Sequence, residues 1–308
     1  MLNGKVIKST GSWYIVRDEQ GKLWECRLRG RLRLDGIVST NPVAVGDNVS
    51  FEQEQGKETA VIKSIGPRNN LIVRRSVNLS KASHIIAANI DVAIIVATIS
   101  NPRTSTGFID RFAVTAEAYH IPVAVVFNKC DIYTDEEIGD MAELIGYYSE
   151  IGYDAFGVSA KTGFNCDVLK ELMHNKICLF AGHSGVGKSA LVNRLDPSLN
   201  VKIGDISDVH HKGKHTTTFA EMHHLEFGSW VVDTPGIKEF ALYDLDNGTL
   251  AQRFPEMRQL MSQCRFANCT HTHEPGCAVK AAVDEQVIAP WRYENYLRMM
   301  SGDDFDRQ

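Results

Sequence analysis

No stretch of this 308-residue chain is long and apolar enough to cross a bilayer. Its longest apolar runs, residues 92–97 and 122–127, are strand-sized against the ~18 residues that a helical span needs. The N-terminus lacks the apolar core of a signal peptide, so a cytoplasmic protein without membrane contact is expected. Bulk positive charge is missing too: 33 Lys and Arg stand against 38 Asp and Glu, a net charge of −5, and nothing in the total announces nucleic acid. Cysteine is sparse and odd in number, at seven, which excludes a small disulfide-stapled scaffold and favours thiols or metal ligands. The chain is about twice the usual span of one domain, and its 44% hydrophobic and 23% charged residues exclude wholesale disorder.

What charge asymmetry there is lies at the front. Residues 1–75 carry 13 basic and 8 acidic side chains, whereas residues 76–240 carry 13 and 20. The densest basic stretch is Arg27, Arg29, Arg31 and Arg33, alternating with small or apolar residues. At strand period these arginines share one face, which suits an RNA phosphate backbone; a solvated edge strand gives the same pattern.

Short β segments at 4–9, 13–17, 23–28, 48–52 and 59–65, punctuated by turns, predict a small N-terminal barrel over 1–70. An oligonucleotide-binding barrel and an SH3-like one both fit. Residues 67–70 read as the exit linker. From 71 to 240 apolar runs at 92–98, 123–128, 155–159, 177–181 and 230–232 alternate with helical patterns at 108–119, 135–151, 165–173 and 188–195. That is the form of an α/β domain with a parallel sheet. Residues 241–308 read as helix, cysteine cluster, helix.

The run Gly182, His183, Ser184, Gly185, Val186, Gly187, Lys188, Ser189 fits G-x-x-x-x-G-K-[ST] between an apolar strand and a helix that continues through Ala190. The glycines let backbone N–H groups turn toward phosphate oxygens. Lys188 then reaches the β and γ phosphates and Ser189 offers its hydroxyl oxygen to Mg²⁺. Asn128, Lys129, Cys130 and Asp131 follow the strand at 123–127, and a carboxylate there can accept two hydrogen bonds from guanine, a pair that adenine does not offer. Ser159, Ala160 and Lys161 supply a backbone N–H for the guanine carbonyl. Asp233, Thr234, Pro235 and Gly236 end another apolar segment, with Asp233 set to hold Mg²⁺ through water and Gly236 to sense the γ phosphate. Thr216, Thr217 and Thr218 resemble a GTPase switch, and Thr217 is assigned to Mg²⁺.

Regulatory GTPases run phosphate loop, switch threonine, D-x-x-G, N-K-x-D, S-A-K; here N-K-C-D and S-A-K come first, so the chain looks like a circularly permuted P-loop GTPase. Permutation is cheap where the original termini lie close together. Ile237 stands where Ras-like proteins place the water-orienting Gln. His215, next to the threonines, is the candidate catalytic residue in its place, with His210, His211, His223 and His224 as rivals.

Cys264, Cys269, His271 and Cys277 supply three thiolates and an imidazole within fourteen residues, the donor set of one closed structural Zn²⁺ site. His273 is a substitute ligand. Nearby Arg265, Lys280, Arg292 and Arg298 would face phosphates or simply solvent.

Barrel, permuted GTPase and C-x(4)-C-x-H-x(5)-C module together resemble the bacterial ribosome small-subunit-dependent GTPase A family (RsgA/YjeQ) over almost the whole chain. The resemblance implies a GTP hydrolase, using GTP with Mg²⁺ and one structural Zn²⁺, that binds the small ribosomal subunit and its rRNA and assists late assembly, stimulated by that subunit. It implies that barrel and zinc module contact the subunit and that His215 acts in hydrolysis. A monomer is expected, and other assembly factors are admitted as partners. The long basic leader of some relatives is not expected here, since the first strand pattern begins almost at residue 1, and Lys214 stands where relatives often carry Arg or Gln. Two rival readings are a GTP-dependent RNA-binding switch with negligible turnover and a metal-stabilised RNA scaffold without nucleotide function.

Overall fold

The structure, a computed structural model, describes residues 1–28, 42–75, 83–199, 220–233 and 247–302. Five strands, β1 (Leu2–Ser9), β2 (Trp13–Asp18), β3 (Leu23–Leu28), β4 (Asn48–Gln53) and β5 (Ala60–Ile65), pair in the order β1-β2-β3-β5-β4, and β1 pairs β4 to close the ring. Only β3 and β5 run parallel, so this is the Greek-key closure of an oligonucleotide-binding barrel rather than an SH3-like one. Alternation aims Val6, Tyr14, Val16, Trp24, Cys26, Val49 and Phe51 into a sealed core. Asp18 at the end of β2 locks its turn by accepting from the Gln20 and Lys22 amides and the Trp24 indole, at 3.0, 2.8 and 2.8 Å.

The expected linker at 67–70 is anchored instead. Arg68 meets the buried Asp47 carboxylate at 2.6 Å, and Asn70 exchanges hydrogen bonds with the Ile90 backbone. It enters a hairpin, β6 (Leu71–Arg75) with β7 (Ser83–Ala88), that the sequence pattern did not reveal because a polar stretch separates its short apolar cores.

Next along the chain come β8 (Val92–Ala97), α1 (Thr106–Ala118), β9 (Val123–Phe127), α2 (Asp135–Glu150), β10 (Asp154–Gly157), α3 (Cys166–Met173) and β11 (Ile177–Ala181). They are followed by α4 (Lys188–Leu195), β12 (Glu221–His224), β13 (Trp230–Asp233), α5 (Asn247–Leu250), α6 (Pro255–Leu260), α7 (Ala278–Asp284) and α8 (Pro290–Ser301). The chain packs as two units.

One unit takes the described residues of 1–93, 166–180 and 188–237. Here β13 lies parallel to β11, β12 antiparallel to β13, and β12 meets β1 of the barrel at Glu221 and Lys8, whose side chains pair at 2.7 Å. The antiparallel β12 had no counterpart in the expected all-parallel sheet.

The other unit takes 94–165, 181–187 and the described part of 238–308. Strands β8, β9 and β10 are neighbours, with β9 and β10 parallel, and β8 and β9 are buried along their whole length, as parallel strands covered on both faces must be. Helix α1 starts two residues before its expected position because the Ser105 side chain caps the Phe108 amide. A Thr134–Glu137 capping box and three acidic residues in the first turn start α2. Pro290 opens α8, and Gly302, at φ +75°, closes it. The tail helices pack Phe254, Met257, Val279, Ile288, Tyr296 and Met299 into one core with Val114 of α1. Among the described residues no helix is long and apolar enough to cross a membrane.

Candidate functional site

The phosphate-loop glycines and the N-K-C-D and S-A-K segments lie in the same unit. Strand β11 runs buried into the loop at Gly182, whose φ is +147° and where a Cβ would stand 2.3 Å from the Val96 carbonyl oxygen. Gly185 and Gly187 have φ of +84° and +97°, conformations that L side chains avoid. At Gly187 a Cβ would also collide with Asn128 Nδ2, at 2.3 Å. This cradle therefore fits the backbone approach that a phosphate chain requires. Val186 is buried, and Lys188 and Ser189, both buried, open α4, which continues through Ala190.

Asn128 sits just past β9, almost fully buried. Its amide donates to the Ala97 carbonyl at 2.8 Å, its Nδ2 donates to the Val186 carbonyl at 2.8 Å, and its Oδ1 accepts from the Ala160 amide at 3.1 Å. One side chain thus ties the N-K-C-D and S-A-K segments to the glycine-rich loop. Lys129 is left-handed, at φ +71°, and its ammonium donates to the Asn101 carbonyl. Asp131 Oδ1 accepts from the Ser159 hydroxyl at 2.6 Å, and Oδ2 faces Lys161 Nζ at 3.6 Å. The Ser159 hydrogen bond, with help from Lys161, holds the Asp131 carboxyl below its usual range, so it stays an ionised acceptor. Strand β10 stops at Gly157, short of the expected 159, because Ser159 leaves the sheet for this contact.

One participant escaped the sequence reading. The Tyr133 hydroxyl donates to the Asn128 carbonyl and accepts from the Ile99 amide, so it clamps the peptide that carries the motif. Burial raises its pKa to about 12. Nothing in a lone tyrosine two residues past the motif signals that role.

Several expected residues fall elsewhere. His215, Thr216, Thr217, Thr218 and Gly236 lie outside the described residues, as do Arg29, Arg31, Arg33, His210 and His211. Asp233 ends β13 at the expected strand end. His223 and His224 are on β12, and the His224 ring packs on Trp230, 4.6 Å between centroids. Arg27 pairs with Glu54 at 2.5 Å on β3, a strand flanked on both sides and so no edge.

In the C-terminal segment the donor atoms of Cys264, Cys269, His271 and Cys277 all lie within 4.8 Å of one another. His271 Nδ1 is 3.6 Å from Cys264 Sγ and 3.4 Å from Cys277 Sγ. Bonds of ~2.0–2.3 Å to a tetrahedral ion give ligand separations of about 3.5–3.8 Å, so the set fits Zn²⁺. All seven cysteines are free thiols, in keeping with ligands rather than disulfides. His273 stays apart, its Nδ1 2.9 Å from Thr272 Oγ1. Tyr293 and Tyr296 of α8 pin the ligand loop by donating to the His271 and Thr270 carbonyls, at 2.5 and 2.6 Å.

Arg292 corrects an expectation. It is fully buried, pairing with Asp110 of α1 at 2.5 Å and Glu256 of α6 at 2.8 Å, and so cannot face a phosphate or solvent. Its charge is consumed because an unpaired guanidinium could not be buried there. Arg298 pairs with Glu294 at 2.6 Å.

The sequence profile described as RsgA GTPase matches residues 65–243, and that described as RsgA N-terminal domain matches 3–62. A protein of Christiangramia forsetii named small ribosomal subunit biogenesis GTPase RsgA is 50% identical over 305 residues, covering 98% of this chain and 97% of that protein. One of Bacteroides thetaiotaomicron, named small ribosomal subunit biogenesis GTPase RsgA 2, is 50% identical over 299 residues, 97% of this chain and 96% of its own. Among solved structures, YjeQ from Thermotoga maritima superposes with a TM-score of 0.80 at 36% identity, covering 98% of both chains. YloQ, described as a circularly permuted GTPase, gives 0.74 at 30% identity, covering 98% of this chain and 94% of its own. With its glycine cradle, its Asn128 tie and its permuted motif order, the chain belongs to the RsgA GTPase family.

Proposed function

We propose that this protein hydrolyses GTP on the small ribosomal subunit, is stimulated by that subunit and assists its late maturation. The observation that carries the nucleotide chemistry is the Asn128 side chain, bonded at once to the phosphate loop and to the loop beside Asp131. The partner rests on the names of relatives that are 50% identical over nearly their full length.

Asp131 takes the guanine ring N–H and exocyclic amine, and the Ala160–Lys161 backbone meets the guanine carbonyl. The loop from Gly182 to Gly187 cradles the phosphates with backbone N–H groups, and Lys188 bridges β and γ oxygens. Ser189, Thr217 and Asp233 would hold Mg²⁺, which when bound would supply positive charge to offset that on the phosphate oxygens. His215 accepts a hydrogen bond from the attacking water and orients it, as Ile237 cannot. The water oxygen bonds to the γ phosphorus as the bond to the β–γ bridging oxygen breaks, giving GDP and phosphate. The Gly236 N–H registers the loss of that γ phosphate. The Cys264, Cys269, His271 and Cys277 set would hold a structural Zn²⁺, which would pin the loop that carries these four ligands.

In domain terms, residues 1–70 form the RNA-facing barrel, 71–240 the permuted GTPase and 241–308 the helical zinc module. The protein works in the cytoplasm as a monomer, and Arg27, Arg29, Arg31 and Arg33 contribute to rRNA contact. Turnover of GTP by the purified chain, alone and with isolated small or large subunits, with ATP as control, tests this function. Large stimulation by the small subunit only, with ATP inert, is expected, and loss of that stimulation in His215→Ala with GTP binding spared would support its catalytic role. Tight GTP binding without stimulation by either subunit would favour a non-hydrolysing switch, the reading that Ile237 permits.

A further inference from the structure

Helix α8 makes two sets of contacts. Tyr293 and Tyr296 hold the cysteine-bearing loop, and Arg292 and Asn295 hold α1. Asn295 Nδ2 donates to Asp110 Oδ2 at 2.6 Å and to Thr106 Oγ1 at 3.2 Å. Asp110, fully buried, also accepts from Arg292 and, at 2.7 Å, from the Tyr148 hydroxyl. Thr106 and Asp110 flank Phe108 by two residues on either side, at the start of α1. The Phe108 ring lies on the imidazole of His183 in the phosphate loop, with centroids 4.0 Å apart and planes inclined by 37°. Pro102, in the connection leading to α1, borders the same loop: a Cβ added to Gly185 would lie 3.5 Å from its ring.

Buried Val186 and the Asn128 tie hold the far end of the loop, and the Phe108 ring on His183 adds an aromatic restraint at its start. The ring can restrain the loop only as well as its own turn is held, and α8 holds that turn. We propose that Phe108 is a positioning residue for the phosphate loop and that Asn295 of α8 sets where Phe108 stands. The C-terminal helices thereby bear directly on GTP affinity. This inference rests on the reading of Gly182–Ser189 as the GTP site.

Binding of a fluorescent GTP analogue to the full chain with Mg²⁺ tests it. An aromatic pair worth ~0.5–1.5 kcal/mol predicts that Phe108→Ala weakens binding about 3–10-fold, while Phe108→Tyr keeps wild-type affinity. Asn295→Ala, or the milder Thr106→Val, should weaken binding in the same direction. Adding Asn295→Ala to Phe108→Ala should cost little more than Phe108→Ala alone, because both act through one contact. A general loss of structure would not give that non-additivity or the tyrosine rescue, and thermal unfolding of each variant identifies any that are misfolded. Phe108→Ala binding GTP within twofold of wild type, or strictly additive losses in the double variant, would overturn the proposal. Lys188→Ala separates the two levels: unchanged GTP binding in that variant sinks the reading of the loop itself, whereas its loss alongside normal Phe108→Ala binding sinks only the positioning role.

Discussion

The Nδ2 of Asn128 donates to the backbone carbonyl of Val186 across 2.8 Å, joining two motifs 58 residues apart in the chain. In a permuted chain the base-reading motif comes before the phosphate loop, yet the side-chain tie does not depend on chain order. Only the positions of the two loops at the ends of their strands matter.

Gly187 stands beside this tie, with its Cα hydrogen where any Cβ would meet Asn128 Nδ2 at 2.3 Å and at a φ of +97°. Gly187→Ala should therefore weaken GTP binding at least tenfold, because the loop or Asn128 must move. Isothermal titration against wild type checks this, and binding within twofold would show that the tie is dispensable.

Asp131→Asn replaces an acceptor pair by one acceptor and one donor. GTP affinity should fall and xanthosine triphosphate, which presents a carbonyl where guanine has its amine, should be preferred. Competition between the two nucleotides reads the outcome directly, and an unchanged preference for GTP would remove Asp131 from base recognition.

The Ser159 hydroxyl holds the Asp131 carboxyl below its ordinary value. A carboxyl depressed in this way keeps its ionised contribution above the ordinary carboxylate range and loses it only as pH falls through the lower folded value. GDP affinity should thus hold to lower pH in the wild-type protein than in Ser159→Ala, where the decline should begin at higher pH. Comparing the two proteins at each pH cancels the titration of the ligand itself. Superimposable profiles would contradict the role given to Ser159.

Metal analysis should find about one zinc per chain, released by chelator or by Cys269→Ser. Because Tyr293 and Tyr296 of α8 bond the carbonyls of the ligand loop, zinc loss should also lower the unfolding temperature of the C-terminal helices. An unchanged melting curve in the zinc-free protein would separate the cluster from fold stability.

The sequence by itself determined the chemistry that is local in the chain. The phosphate-loop glycines, the N-K-C-D run and the closely spaced cysteines each span only a few residues, so each motif was legible from its own spacing. The barrel was equally legible, since alternation over five short strands requires one sealed face. Arg292 shows where that legibility ends. In the sequence it is one more basic residue on a helix, but its partner Asp110 is 182 residues away, and only packing puts both inside. Tyr133 clamping Asn128 and Phe108 lying on His183 were decided in the same way. Periodicity tells which face of an element is apolar. Which buried polar group meets which is settled by the folded chain, because each must be paired inside a core that water does not reach.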